Sequence, residues 1–177
     1  MFYFIGYRLK GSDEASVENL RQRIAQEFDV YAALKIPPHF TLFYPFELGD
    51  ASDVERALVG FAARQEPFTV ASEKFASFEP AVWFIEVERG GKAQALRDNL
   101  KSLLGDLGVT EDTKYPEPFH FHITVAYKDL APDKFAQIGA WLDGRAAPIK
   151  KLEIDSITLF EKHDDRWLAL RDFSFNQ

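Results

Sequence analysis

Two short stretches of this 177-residue sequence decide its interpretation: Pro38-His39-Phe40-Thr41-Leu42-Phe43-Tyr44 and Phe121-His122-Ile123-Thr124-Val125-Ala126-Tyr127. Each contains a histidine, an apolar residue, a threonine and a second apolar residue in that order, and each ends in a tyrosine. The chain has four histidines, so two such tetrapeptides arise by chance in roughly a few per thousand sequences of this composition. The repeat therefore indicates that the two stretches share a role.

The spacing within each motif is that of a β-strand. Residues i and i+2 of a strand lie on the same face, so His39 and Thr41 share one face, as do His122 and Thr124. The apolar residues between them point the opposite way, into the core. Each strand is therefore predicted to present an imidazole beside a hydroxyl. By the same alternation, we interpret the two repeated tyrosines, Tyr44 and Tyr127, as core residues behind the site.

Two imidazoles and two hydroxyls that meet in one cleft suit the cleavage of a phosphodiester. One imidazole takes a proton from the attacking oxygen, the other donates a proton to the leaving oxygen, and the hydroxyls bind the non-bridging oxygens. Imidazole can fill both roles because its unperturbed pKa of ~6.5 populates both forms near neutrality. We predict that His39 and His122 are catalytic and that Thr41 and Thr124 bind phosphate.

Hydrophobic periodicity alternates between strand and helix along the whole chain, and no Ser/Gly-rich linker interrupts it. We predict one α+β domain over residues 1–177, made of two lobes with mostly antiparallel pairing. A polar, proline-containing loop is expected at Thr110 to Pro118. The predicted strands are 3–9, 39–44, 68–75, 82–88, 122–127, 149–160 and 167–175, and the predicted helices are 16–28, 52–61, 91–104 and 133–142.

Composition restricts the classes of partner. The chain has 21 Lys and Arg against 28 Asp and Glu, a net charge of −7. A protein that follows a long phosphate backbone normally has a basic surface, so we expect a small nucleotide or an RNA 3′ end instead. The chain has no cysteine, which suits a reducing compartment, and no segment approaches the ~20 apolar residues of a membrane span. A cytoplasmic monomer that does not bind membranes is expected.

The paired motif and its flanks resemble the two-histidine (2H) phosphoesterase superfamily, which is defined by two His-Φ-[Ser/Thr]-Φ motifs, one per lobe. Pro37-Pro38 before His39, with Tyr44-Pro45-Phe46 after it, looks like the first motif of bacterial 2′–5′ RNA ligase-like members, and Phe119-His120-Phe121 before His122 looks like the second. The resemblance covers essentially the whole chain in length and element order. It implies a bilobal, pseudo-twofold arrangement of two mostly antiparallel sheets with flanking helices and a central cleft.

The resemblance also implies an activity, the hydrolysis of 2′,3′-cyclic phosphates at RNA ends or in cyclic nucleotides without a metal or other cofactor. It gives His122 the role of base and His39 the role of acid. One position departs from the family pattern, because Phe121 stands where members often have proline. The sequence does not identify a basic residue in the cleft, and the candidates are Arg8, Lys74, Lys128, Lys162 and Arg171.

Three further residues are candidates for the site. His120 lies two residues before His122, so the pair could bind zinc with His39 or a carboxylate as third ligand, in a metal-dependent hydrolase. No spacing specifies that third ligand, and we interpret His120 as a residue of the cleft wall without metal. Phe46 and Phe84 are candidates for stacking on a base, although strand aromatics more often pack in the core.

A non-catalytic module that binds a nucleotide or an RNA end would need the same polar cleft. The two histidines favour chemistry over simple binding, because asparagine or glutamine would serve a binding module equally well. An enzyme, a binding module and a metal-dependent hydrolase are therefore the three hypotheses that the sequence supports, with the enzyme preferred.

Overall fold

The computed structural model of the protein describes residues 1–111 and 119–176, without the side chain of Glu73. Most of the loop expected at Thr110 to Pro118 lies outside the described residues. The strands are β1 Phe2–Arg8, β2 His39–Glu47, β3 Phe68–Phe78, β4 Val82–Val87, β5 His122–Tyr127, β6 Lys151–Ile154, β7 Ser156–His163 and β8 Arg166–Ser174. The helices are α1 Gly11–Phe28, α2 Ser52–Ala62, α3 Gly91–Asp106 and α4 Pro132–Leu142, with a 3-10 helix at Ala32–Lys35.

The strands form one antiparallel sheet with the order β6-β3-β4-β5-β2-β1-β7-β8. The first lobe contributes β2-β1-β7-β8 and the second lobe contributes β6-β3-β4-β5, so the two motif strands β2 and β5 are central neighbours. Each motif strand follows a helix and pairs with the strand before that helix, as β1-α1-β2 and β4-α3-β5. The predicted α+β fold with two antiparallel halves is confirmed, and the halves join edge to edge.

The segment 149–160, expected to be one strand, is two strands that belong to different lobes. β6 pairs with β3 of the second lobe, whereas β7 pairs with β1 of the first. Asp155 lies between them, and its carboxylate accepts bonds from Lys10 at 2.9 Å and from Ser156 at 2.9 Å. The chain therefore crosses between the lobes at Asp155, which a continuous apolar pattern does not reveal.

The core lies between the helices and one face of the sheet. On β1, Tyr3, Ile5 and Tyr7 face the helices and are 5% exposed or less. The helices cover them with apolar residues at helical spacing, as predicted for α1. This helix begins at Gly11, before the expected start, and Asp13 lies in its first turn, where a carboxylate interacts favourably with the helix dipole. The other face of the sheet is left for the motif residues.

The seam between the lobes, where β2 lies beside β5, has little backbone pairing. Among the described residues, β2 and β5 share one register pair, Phe40 with Ile123, whereas β1 pairs with β2 along its whole length. Both motif strands also contain an extra residue directly after the motif threonine, Leu42 in β2 and Val125 in β5. Such bulges bend a strand and increase its twist. The two strands therefore diverge from their shared pair, which opens a cleft between the lobes.

Within residues 1–111 and 119–176, none of the helices combines the length and the apolar character required to cross a membrane.

Candidate active site

The alternation predicted for the motif strands is present in both lobes. His39 and Thr41 are half-buried and lie on either side of the buried Phe40, and His122 and Thr124 have the same relation to Ile123. Since Phe40 and Ile123 are 1% and 0% exposed, they fix each strand against the core. The histidine and threonine of each motif therefore face away from the helices.

The antiparallel pair Phe40–Ile123 sets the position of the two motifs relative to each other. Extending this register by one residue in each direction places His39 opposite Thr124 and Thr41 opposite His122. Diagonal neighbours on one face of an antiparallel pair are about 7–8 Å apart, and the two histidines have this diagonal relation. Their proximity is also electrostatic, because His122 lowers the pKa of His39. The four motif side chains thus border one space.

Both histidine rings are held in the same way. His39 Nδ1 lies 2.8 Å from the carbonyl oxygen of Pro37, and His122 Nδ1 lies 2.7 Å from the carbonyl oxygen of His120. A carbonyl can only accept, so Nδ1 carries the proton and Nε2 of the neutral ring has a free lone pair. Each motif therefore fixes its ring through the residue two positions earlier and leaves Nε2 for proton transfer.

The surroundings of both histidines favour the neutral form. Burial is the main cause that lowers the pKa of His39 to about 3; the bond to Pro37 opposes it, and the positive charge of Arg21 adds to it. Burial also lowers the pKa of His122, opposed by the bond to the His120 carbonyl. At neutral pH both Nε2 atoms are therefore bases. A phosphate anion bound between them would favour their protonated forms.

Arg8 is the basic residue beside the first motif, because it is the register partner of His39 on β1. Its guanidinium donates to Asp172 at 2.9 Å, and Thr158 donates to the same carboxylate at 2.7 Å. The Nε atom of Arg8 is buried and has no hydrogen-bond partner. The network fixes the guanidinium at the cleft face of the first lobe.

The other basic candidates lie elsewhere. Arg171 donates to Glu55 of α2 at 2.9 Å, on the helix side of the sheet. Lys162 lies over the ring of Phe2 at 5.8 Å, and Lys128 over the ring of Tyr127 at 5.2 Å. Lys74 is exposed on β3, which does not pair with either motif strand. Arg8 is therefore the candidate that is the register partner of a motif histidine.

Aromatic rings surround both histidines. The ring of His39 lies 5.0 Å from Phe4 and 5.3 Å from Phe160. The ring of His122 lies 5.0 Å from Phe84 and 5.1 Å from Phe78. The sequence did not single out Phe4, Phe160 or Phe78, because their positions depend on register with strands distant in the chain. The buried rings of Phe4, Phe160 and Phe84 supply the low-polarity surroundings that lower the histidine pKa values.

Two predicted stacking residues require correction. Phe46 is 5% exposed and lies behind the site, because its register partner Tyr3 faces the helices; its ring contacts Tyr3 at 5.9 Å and Phe43 at 5.6 Å. Phe84 is on the cleft face but is 1% exposed. Its ring packs against the ring of His122 at 5.0 Å and is too buried to stack on a base.

His120 and Tyr44 lie where the sequence predicted. The side chain of His120 is 44% exposed at the cleft wall, and its Nε2 donates to Glu86 at 3.0 Å. Tyr44 packs behind the site, with its ring 5.0 Å from Phe119. The prediction of Tyr127 as a core residue was wrong, because the extra residue Val125 reverses the alternation of β5. Tyr127 is half-buried, and its register partner Val82 lies on the same face of β4 as Phe84.

A zinc site on His120 and His122 would need a third ligand. In the described part of the chain, no group of three or more histidine, aspartate or glutamate side chains is arranged to hold a metal ion. Nδ1 of His122 donates to a carbonyl, and Nε2 of His120 donates to Glu86. Both rings therefore already bind protein groups through one nitrogen.

Two buried arginines support the first motif from opposite lobes. Arg21 of α1 donates to the carbonyl oxygen of Ile36 at 2.9 Å, three residues before His39. Arg97 of α3 donates to the carbonyl oxygen of Leu42 at 2.5 Å, directly after Thr41. Their exposed fractions are 2% and 1%. The motif backbone is thus fixed at both ends by charged donors, which form the stronger class of hydrogen bond.

Two carboxylates connect the lobes at the ends of the seam. Glu111 accepts the backbone N–H of Tyr44 at 2.9 Å and pairs with Arg97 at 2.7 and 3.0 Å. At the other end, Asp129 accepts the backbone N–H groups of Tyr31 and Ala32 at 2.6 and 2.9 Å. Each carboxylate is contributed by the second lobe and bonds to first-lobe backbone beyond one end of the first motif. They supplement the single strand pair in the middle.

Two cavities of the molecule lie outside the motif cleft. One, of about 460 Å³, is lined by α1, the 3-10 helix and β8. The other, of about 390 Å³, is lined by α1, by Trp141 of α4, by residues that follow α4 and by Phe75 of β3. Neither is lined by a motif histidine or threonine.

Comparison with known proteins agrees with this arrangement. The model of the 2′-5′ RNA ligase superfamily matches residues 10–166. A protein of Bacillus pumilus (strain SAFR-032), named "Putative phosphoesterase", is 34% identical over 162 residues, which cover 89% of this chain and 90% of that protein. A protein of Geobacillus thermodenitrificans (strain NG80-2) with the same name is 30% identical over 126 residues, 69% of this chain and 68% of its own.

Solved structures have the same fold at lower identity. TT0787 of Thermus thermophilus superimposes with a TM-score of 0.64 at 18% identity, covering 99% of this chain and 98% of its own. LigT of E. coli, in a crystal structure complexed with 3′-AMP, gives a TM-score of 0.61 at 19% identity over 99% and 98% of the two chains. Together with the paired motifs and the family match over most of its length, these findings show that the chain belongs to the 2′-5′ RNA ligase superfamily of two-histidine phosphoesterases.

Proposed function

We propose that this protein is a phosphoesterase that hydrolyses 2′,3′-cyclic phosphates, at an RNA 3′ end or in a cyclic nucleotide, by paired-histidine acid–base catalysis without a metal. The observation that carries the proposal is the equivalent presentation of His39 and His122. Each ring is fixed through Nδ1 to the backbone two residues earlier, and each Nε2 is left for the shared cleft.

In the proposed reaction a water oxygen attacks the phosphorus of the cyclic phosphate, and the bond to one ribose oxygen breaks. One Nε2 accepts the proton that the water loses, and the other, protonated, Nε2 donates a proton to the leaving ribose oxygen. The hydroxyls of Thr41 and Thr124 donate to the non-bridging oxygens, on which negative charge increases. The product is a nucleotide with a 2′- or 3′-phosphomonoester, and each histidine ends in the form in which the other began.

The resemblance gives His122 the role of base and His39 the role of acid, and we keep that assignment in the proposal. Burial is the largest cause of the lowered pKa of both histidines. A nearby basic group adds to it in each case, Arg21 for His39 and His120 for His122. Both rings are therefore neutral before the substrate binds, and the pH–rate profile of each single histidine variant distinguishes the acid from the base.

Two further observations support the choice of substrate. LigT of E. coli, which has this fold, was crystallised with 3′-AMP, a nucleotide of the kind that opening of a 2′,3′-cyclic phosphate produces. The net charge of −7 favours a ligand with few phosphates over an extended nucleic acid.

The decisive experiment measures the release of phosphomonoester from 2′,3′-cyclic AMP in buffer with EDTA. Wild type, His39→Ala and His122→Ala are compared with His163→Ala, which changes an exposed histidine at the end of β7. We expect turnover by wild type and the control and strong loss in both cleft variants. Binding of 3′-AMP without turnover would identify a binding module, and activity abolished by EDTA and restored by Zn²⁺ would identify a metal-dependent hydrolase.

A further inference from the structure

One aromatic ring beside the second motif is exposed. Phe78, the last residue of β3, is 40% exposed. Its ring lies 5.1 Å from His122, 5.5 Å from His120 and 4.5 Å from the buried Phe84. Phe78 therefore offers an apolar surface next to one of the two proton-transfer groups.

The two walls of the cleft offer different groups to a phosphate. The wall of the first lobe has Arg8 beside His39, with its guanidinium bonded to Asp172 at 2.9 Å. The wall of the second lobe has Glu86, the register partner of His122, which accepts a bond from His120 at 3.0 Å. A guanidinium has N–H donors beyond the one that binds Asp172, whereas a carboxylate only accepts, so additional phosphates of a ligand are favoured on the first-lobe side. The uncharged part of the ligand is then favoured on the second-lobe side, where Phe78 lies.

We propose that Phe78, His120 and Glu86 form a subsite for the nucleobase of the nucleotide whose cyclic phosphate lies between His39 and His122. This inference rests on the proposed function. The base stacks on the exposed ring of Phe78, an interaction that every base can make. The carboxylate of Glu86, 24% exposed on its side chain, accepts an N–H of the base edge. The rest of an RNA chain then extends toward Arg8.

The competing explanation is that Phe78 only packs against His122 and so holds the catalytic ring in place. The two roles differ in their dependence on the substrate. Loss of stacking matters only for a substrate that has a base, whereas loss of packing slows every substrate equally. Ribose 2′,3′-cyclic phosphate, which has the reacting group but no base, separates them.

The test compares kcat/KM for 2′,3′-cyclic AMP and for ribose 2′,3′-cyclic phosphate. For Phe78→Ala we expect a loss of about tenfold with the nucleotide and less than about twofold with the base-free substrate. Phe78→Trp is expected to retain nucleotide activity, and Glu86→Ala, which removes the acceptor, to lose activity with the nucleotide alone. Phe2→Ala is the control, because Phe2 is 46% exposed at the opposite end of β1 from Arg8.

An equal loss with both substrates, or no loss with either, would overturn the subsite. If the wild type hydrolyses neither substrate, the proposed function fails and the subsite is judged by binding alone. Titration calorimetry with 3′-AMP and ribose 3-phosphate then gives the same comparison without turnover. Weaker binding of 3′-AMP to Phe78→Ala, with unchanged binding of ribose 3-phosphate, supports the subsite; equal changes for both ligands contradict it.

Discussion

Arg21 and Arg97 occupy equivalent helices of the two lobes, and their guanidinium groups bond to the backbone on either side of the first motif, at Ile36 and Leu42. Both are almost fully buried, and each has a glutamate partner, Glu18 at 3.4 Å and Glu111 at 2.7 Å. Buried cations need such compensation because desolvation of a charge is costly. Two buried charges therefore fix the position of one short backbone segment, residues 36–42.

The first prediction concerns the stability contributed by the Arg97–Glu111 pair. Arg97→Met removes one partner of the Glu111 carboxylate, which stays paired with Lys101 at 3.1 Å, and removes the donor to the Leu42 carbonyl, so we expect the free energy of unfolding to fall by about 1–3 kcal/mol in urea denaturation. The double variant Arg97→Met, Glu111→Gln removes the partly compensated charge and keeps an acceptor for the Tyr44 N–H. It should be more stable than Arg97→Met alone.

The control for that comparison is Arg56→Met. Arg56 pairs with Asp53 on α2, and both side chains are 74% exposed, so the change should stay within about 0.5 kcal/mol. If Arg97→Met is as stable as the wild type, the pair does not hold the seam.

The second prediction concerns the motif residues. His39→Ala or His122→Ala removes a proton-transfer partner, and we expect a loss of roughly 10²–10⁴-fold in kcat for 2′,3′-cyclic AMP. The double variant should be little worse than the worse single one, because the two histidines act in one step. Thr41→Val or Thr124→Val deletes a donor to phosphate and should cost about 1–3 kcal/mol in transition-state binding. Near wild-type turnover in both histidine variants would eliminate the paired-histidine mechanism.

The third prediction concerns the electrostatic effect of Arg21 on His39. The charged groups around His39 are Arg8 with its partner Asp172, Arg21 on α1 and, when protonated, His122. Arg21→Met should raise the pKa of His39, whereas Arg21→Lys should keep it low. The expected rise in the pKa of His39 is partial, because burial lowers this pKa more than the charge of Arg21 does. The chain has four histidines, so NMR titration of the ring signals can follow each one.

Arg97→Met provides the matched control for this titration, because Arg97 is equally buried and bonds to the other end of the same motif. It should leave the pKa of His39 unchanged. An unchanged His39 pKa in Arg21→Met, with the fold intact, would show that Arg21 does not act on His39.

The fourth prediction concerns stability against pH. The pKa of His39 and of His122 is lower in the folded state than the ordinary value near 6.5. The unfolded chain therefore binds more protons as the pH falls below about 6.5, and stability is lost with falling pH. Between pH 7 and pH 5, where most carboxylates remain ionised, His39→Gln and His122→Gln should each flatten this loss. Thermal unfolding at pH 7 and pH 5 measures this loss of stability. A variant that loses as much stability as the wild type between the two pH values would contradict the prediction.

Prediction from sequence succeeded where the structure depends on local geometry. The faces of His39, Thr41, His122 and Thr124 follow from strand alternation over three residues, and the repeat itself identified the pair. The prediction that Phe46 lies in the cleft was wrong, because the sequence next to a motif does not show whether an apolar residue faces the cleft or the helices. The face of Phe46 follows from its register partner Tyr3, which faces the helices.

Other features of the site depend on pairing between distant segments. Arg8 could not be distinguished from four other cations, since its position beside His39 follows from the β1–β2 register. Phe78 was not identified, because it reaches His122 through β4, across two strand pairings. The bulges at Leu42 and Val125 add one residue on each motif strand, and no residue type there signals them.

The order of the chain through the two lobes has a consequence for biosynthesis. The second lobe's strands come from one continuous segment, β3 to β6, whereas the first lobe combines β1 and β2 with β7 and β8. The ribosome therefore synthesises β4 and β5, the strands around His122, before Phe160 and Asp172, which complete the wall beside His39 and Arg8. Segments of a chain can fold in the order of their synthesis. The surroundings of His122 can therefore form before those of His39. The enzyme gains both proton-transfer groups in their final surroundings only when β8 closes the sheet.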